Sequence, residues 1–250
     1  MHFQYLISFL YGLTLGSFFN VVGLRVPLKQ SIVAPRSACP NCKHQLTVLE
    51  LIPVLSYLIQ GGKCRQCKTA ISPIYPLVEL LTGLLFVSAP LVFGWTTELF
   101  VAWTLISLFM IIFVSDISYM LIPDKILLVF AGLFLLERTL VPFTPWWDSL
   151  IGAAVGFALL LFIAVVSKGG MGGGDIKLFA LVGFVVGTKV MLLSFFLATI
   201  YGAIFGIFGL MFKLVKRGSP IPFGPFIAAG TLTAYYFYEE IISAYLRLLA

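Results

Sequence analysis

The amino-acid sequence predicts an all-α polytopic membrane protein: about eight transmembrane helices, with a cytosolic zinc-ribbon-like loop of four cysteines between the first two. Three observations carry this. The 250 residues are 60% hydrophobic and only 10% charged, where a soluble domain carries about 25% charged residues; mean hydropathy is +1.07. The apolar residues come in long blocks, and about 20 apolar residues cross a bilayer as a helix. All four cysteines fall in the one sizeable polar stretch. Lipid offers no partner to irregular backbone, so the blocks are read as helices. A membrane β-barrel would instead alternate apolar and polar positions in segments of about 10 residues.

The first block, residues 3–24, lacks a basic amino-terminal stretch and is longer than the apolar core of a signal peptide. It predicts a retained helix. The connection from Arg25 to Ile74 follows. Further helices are predicted over 75–93, 98–115, 125–141, 149–167, 176–188, 190–212 and 225–247, with the least defined boundary at Thr188-Lys189. This gives a first helix (1–24), a four-cysteine loop (25–74) and a transmembrane core (75–250). Glycines four apart, at Gly12/Gly16, Gly152/Gly156, Gly183/Gly187 and Gly202/Gly206, suit close helix packing.

Orientation follows from the basic residues. With eight crossings and the amino terminus outside, Arg138, Lys189 and Arg247 fall outside, and the other thirteen of the sixteen Lys and Arg, Lys216 and Arg217 among them, fall on the opposite side. The positive-inside rule then places the long loop and the turns at 116–124 and 168–177 in the cytosol. The net charge of +6 therefore reports topology and does not imply nucleic acid.

The cysteines form Cys39-Pro-Asn-Cys42 and Cys64-Arg-Gln-Cys67, a zinc-ribbon-like spacing. Two such pairs complete a tetrahedral thiolate site, and Lys43, Lys63, Arg65 and Lys68 favour the thiolates. Four sulfur ligands leave no position for water, so the zinc would be structural. The alternative is two disulfides or thiol–disulfide exchange; a cytosolic position argues against stable disulfides. His44 beside the cluster is not counted as a ligand.

Four aspartates are present. Asp148 lies in the external turn Pro145-Trp-Trp-Asp148, where it is expected to cap the helix it precedes. Asp124 reads as a helix start. Asp116 ends a nearly uninterrupted apolar helix, where an ionisable group is costly and tends to be functional. Asp175 closes the run Gly169-Gly-Met-Gly-Gly-Gly174 and opens the sixth predicted helix. A plain N-cap is the competing reading of Asp175. As a pair, Asp116 and Asp175 fit acid–base catalysis, one carboxyl protonated and the other activating water.

Gly172-Gly-Gly-Asp175 and Asp116-x6-Pro123-Asp124 resemble the two aspartate motifs of type IV prepilin peptidases. Gly16-Ser-Phe-Phe-Asn20, Ile52-Pro-Val-Leu-Ser56, the cysteine pairs, Pro76-Leu-Val-Glu79 and Pro222-Phe-Gly-Pro225 are similar to further motifs of that family, in the same order. The resemblance implies a bacterial inner-membrane aspartic endopeptidase with Asp116 and Asp175 as its catalytic dyad, and Cys39, Cys42, Cys64 and Cys67 as zinc ligands. It implies cleavage of prepilin or pseudopilin leaders after a glycine on the cytosolic side, just before an apolar helix. It also implies N-methylation of the new terminus with S-adenosylmethionine. Asp124 is then structural or supports the site from behind the dyad; Lys177 contacts substrate, tunes Asp175 or is an interfacial lysine; Glu79 pairs with a base or takes part in methyl transfer. A peptidase without methylation, a methyltransferase or scaffold without proteolysis, and a transporter with interfacial carboxylates are the alternatives. Clustering of the acids on one side counts against the transporter.

Overall fold

The computed structural model describes residues 2–168, 170–213 and 220–249; Gly169, Lys216 and Arg217 lie outside the described residues. The elements are α1 (His2–Arg25), a 3-10 turn (Val48–Leu51), α2 (Leu55–Ile59), α3 (Ile74–Phe93), α4 (Glu98–Tyr119), α5 (Asp124–Leu140), α6 (Asp148–Val166), α7 (Gly173–Met211) and α8 (Gly224–Leu249). Among the described residues, β-structure is confined to two isolated bridges. By length and composition α1, α3, α4, α6 and α7 are each apolar enough to cross a membrane. The short α2 was not predicted, because five residues carry too little periodicity to read.

The chain forms two compact units, Met1–Ser115 and Asp116–Ala250. In the first, α1 packs on α3 through the Gly12/Gly16 pair. A Cβ on Gly12 would sit 2.7 Å from Phe86 Cβ, and one on Gly16 2.8 Å from Glu79 Cα. The seam closes with the indole of Trp103, which donates to Phe86 O at 2.9 Å and stacks on the Phe86 ring.

In the second unit α6 lies against the first half of α7, with Gly152 against Gly183 O and Gly156 against Phe179 O. Gly202/Gly206 does not act this way: a Cβ on Gly206 would meet nothing within 4 Å. The helix α7 is not one rod. Phe179 and Phe195 would be about 24 Å apart along a straight helix, yet their ring centroids are 5.9 Å apart. The chain folds back at Gly187, whose φ of 78° and ψ of 170° break the helix in a region that glycine tolerates. The predicted boundary at Thr188-Lys189 thus falls one residue late.

Two charged side chains staple this turn. The buried Arg138 guanidinium donates to Val185 O from Nε (2.8 Å) and Nη2 (2.5 Å), and lies 4.2 Å from the Phe143 ring centroid. A cation there suits the negative end of the first half-helix. Asp148 accepts Thr188 N–H at 3.2 Å and Thr188 Oγ1 at 2.7 Å, at the positive end of the second half. Asp148 was expected to cap its own helix. Its side chain instead caps the returning half of α7, and no side-chain bond caps α6.

Candidate active site

The end of the second unit opposite the Gly187 turn gathers four helix termini. Asp116 lies in the last turn of α4, which runs four residues past the predicted end at 115. It is 6% exposed, and its Oδ2 accepts the Gly224 N–H at 2.7 Å. Gly224 is the first residue of α8, so the carboxylate sits where unpaired N–H groups and the helix dipole favour an anion. The segment Pro222-Phe-Gly-Pro225 carries one local sign of this role in the sequence, a Gly-Pro pair at a helix start, but no sign of its partner.

Asp175 is the third residue of α7, because the helix begins at Gly173 and takes in the end of the glycine run. Its Oδ2 faces back to the Gly172 N–H at 3.3 Å, as the acidic partner of a capping box does. The predicted N-cap position is thus filled by Gly172, and Asp175 stands one turn inside. Gly174 lets this turn approach the α4–α5 connection: a Cβ there would lie 2.8 Å from Ile122 Cβ. The Asp116 and Asp175 carboxylates lie within electrostatic reach of one another. Lys177 pairs with Asp124, Nζ standing 2.8 Å from both Oδ1 and Oδ2, and so ties the start of α7 to the start of α5.

The cysteines occupy two matched turns. Cys39 N–H donates to His44 O (2.9 Å) and Lys43 N–H to Cys39 O (3.0 Å); Cys64 N–H donates to Thr69 O (2.8 Å) and Lys68 N–H to Cys64 O (3.0 Å). Lys43 (φ 59°) and Lys68 (φ 60°) reverse the two chains alike. The isolated bridges Ala38–Gln45 and Lys63–Ala70 flank the turns, and Asn41 Nδ2 donates across to Thr69 Oγ1 at 2.9 Å. All four Sγ atoms lie within 4.8 Å of one another. Cys39–Cys67 and Cys42–Cys64 stand at 3.7 and 3.9 Å, too long for disulfides. A tetrahedron with 2.3 Å metal–sulfur bonds has sulfurs about 3.8 Å apart, so the donor set fits zinc. The Thr69 hydroxyl draws the Cys67 thiol down to about 5, and the Cys42 backbone N–H lowers Cys39. His44 stands apart from the thiols. Its Nε2 is 3.1 Å from Glu50 Oε2, which also accepts Thr47 N–H and Oγ1 at 2.9 Å.

Fold and side chains together define a class: an integral membrane protein with an aspartate pair at one end of its helices and a four-thiol module in its amino-terminal loop. Residues 10–93 match the model of the bacterial peptidase A24 N-terminal domain, and residues 103–207 that of the type IV leader peptidase family. The chain is 46% identical over 242 residues to a prepilin leader peptidase/N-methyltransferase of Bacillus subtilis, covering 97% of this chain and 98% of the relative. Relatives of the same name from Aeromonas salmonicida and Pseudomonas aeruginosa are each 36% identical over 274 residues, covering 96% and 97% of this chain and 93% of each relative. No solved structure matches the chain. The protein belongs to the type IV leader peptidase family.

Proposed function

We propose that the chain is a membrane-embedded aspartic endopeptidase that removes the leader of type IV prepilins or pseudopilins and then N-methylates the new terminal residue. The observation that carries the cleavage reading is the Asp116–Asp175 pair, two carboxylates from different helices held at one helix-end surface by backbone N–H groups. One carboxyl, protonated, donates to the scissile carbonyl oxygen while the other takes a proton from the attacking water. Two coupled acids titrate as a unit, so the roles belong to the pair. The Gly224 N–H fixes Asp116, and Gly174 admits the turn that carries Asp175. The names of the relatives support the pairing of cleavage with methylation.

In this reading the chain crosses the bacterial inner membrane eight times, the halves of α7 supplying two crossings. The amino terminus is outside, and the thiol loop and the aspartates face the cytosol. Residues 1–24, 25–74 and 75–250 serve as first helix, zinc loop and peptidase core. Cys39, Cys42, Cys64 and Cys67 hold a structural zinc that supplies folding energy rather than chemistry. The substrate is a prepilin cut after a glycine at the start of its apolar helix, and S-adenosylmethionine is the methyl donor. Cleavage of a prepilin-like peptide in detergent tests the dyad: Asp116→Asn and Asp175→Asn should each lower the rate by at least about 10³-fold. Cutting by either variant at the wild-type rate would show the dyad to be wrong.

A further inference from the structure

Proteolysis makes no use of the acidic residue Glu79, yet Glu79 is 8% exposed in the second turn of α3. Its Oε2 accepts the Val54 N–H at 2.8 Å, and the Ser17 side chain neighbours the same carboxylate. No Lys or Arg side chain pairs with it among the described residues. One turn past Ser17 on α1, Asn20 is 2% exposed. Its Nδ2 donates to Tyr75 O at 3.2 Å, one turn before Glu79 on α3. That leaves Asn20 Oδ1 buried without a partner, where buried acceptors are nearly always bonded. Gly16 admits the close approach of the two helices at this level. The adjoining backbone is strained as well. Val54, at φ 61° and ψ −51°, forms a three-residue turn closed by Leu55 N–H on Pro53 O at 2.6 Å. A β-branched residue rarely adopts such a turn.

A carboxylate and an unfilled amide oxygen on neighbouring turns are both acceptors. They select a ligand with several N–H donors and a positive charge. We propose that Glu79, Asn20 and Ser17 bind a primary α-amine, the group alkylated in N-methylation; the inference rests on the methyltransferase reading above. Where the bound amine is that of the cleaved peptide, Glu79 takes a proton from the α-ammonium. The freed nitrogen lone pair then attacks the methyl carbon of a sulfonium donor. The new N–C bond forms as the C–S bond breaks, and the electron pair of that bond leaves with sulfur as a neutral thioether. A methylammonium remains on the substrate. The cleaved peptide and the amino-acid end of the donor both carry a primary amine, and the test separates them.

Glu79→Gln keeps an acceptor for the Val54 N–H, so a role confined to pinning that loop survives the substitution. Purified protein in detergent is titrated with a peptide bearing a pilin-like apolar amino terminus, either free or acetylated, and separately with S-adenosylmethionine alone. At least one amine-bearing ligand should bind wild type about tenfold or more tightly than Glu79→Gln. Dependence of the peptide arm on a free amine, or a loss confined to the donor arm, names the source. Ser17→Ala, which leaves the carboxylate in place, should weaken the same ligand less, and it serves if Glu79→Gln does not fold. Equal binding of both ligands by wild type and Glu79→Gln, or by wild type and Ser17→Ala where only that variant folds, overturns the site. Glu79-dependent amine binding by a wild type that transfers no labelled methyl group would sustain the site and refute the methylation reading instead.

Discussion

Gly174→Ala tests how tightly the aspartates are placed. The added methyl would stand 2.8 Å from Ile122 Cβ, where ordinary contact begins at 3.4 Å. Relief requires the first turn of α7 and the α4–α5 connection to part by about 0.6 Å, the difference of those two distances. Asp175 is the next residue and moves with the turn, whereas Asp116 stays tied to Gly224. A displacement approaching 1 Å in a catalytic constellation costs about 10²-fold in rate. Stability falls only modestly: overpacking costs about 1–3 kcal/mol, and replacing glycine by alanine inside a helix returns about 1 kcal/mol, a net loss of no more than about 2 kcal/mol. Steady-state cleavage of a prepilin-like peptide should therefore show kcat/KM reduced about 10²-fold, with Tm lowered by no more than about 8 °C. The partner atom is the β-carbon of Ile122 itself. Adding Ile122→Ala should thus give no rescue, and adding Ile122→Gly should restore much of the rate. Cleavage by Gly174→Ala within threefold of wild type, or equal rescue by both second substitutions, would refute the reasoning.

Arg138→Met leaves Val185 O without its donor at the Gly187 turn and should destabilise the protein by about 1–3 kcal/mol; thermal unfolding in detergent reads this, and an unchanged midpoint would count against the staple. Metal analysis of the purified chain should find about one zinc per chain, lost in Cys39→Ser, because three thiolates no longer close the tetrahedron; retention of zinc by that variant would reassign the ligands. The Thr47 backbone N–H, helped by the Thr47 hydroxyl and His44, holds the Glu50 carboxyl below the ordinary carboxylate range. Its stabilisation of the loop is therefore complete above that range and fades as pH falls through the lowered value. Acid-induced proteolytic opening of residues 44–50 should lose this pH dependence in Glu50→Gln.

The helical blocks were legible because lipid imposes one secondary structure on apolar sequence. The boundaries at Ile74–Phe93 and Asp148–Val166 fall within a residue of those predicted. The cysteine turns were legible because chelation needs ligands at fixed local spacing. Long-range polar contacts were not. Asp148 looked like a local cap, and nothing near it in the chain points to Thr188, 40 residues away. The Asp116–Gly224 bond joins residues 108 apart through a backbone N–H, a donor that every non-proline residue carries. Gly187 showed its spacing with Gly183 but not its turn, since a reversal between two apolar segments needs only one permissive residue.

The staple at that turn also bears on the order in which the chain is made. Arg138 and Asp148 emerge from the ribosome before Val185 and Thr188, their acceptor and donor 47 and 40 residues further on. Until then the Asp148 carboxylate at the start of α6 lacks its Thr188 donor, and Arg138 at the end of α5 reaches Val141 O but not yet Val185 O, an arrangement of charge poorly suited to lipid. The arrival of one reversal settles both at once. Synthesis thus holds α5 and α6 as an unfinished pair, and the hairpin of α7 is the piece that locks them.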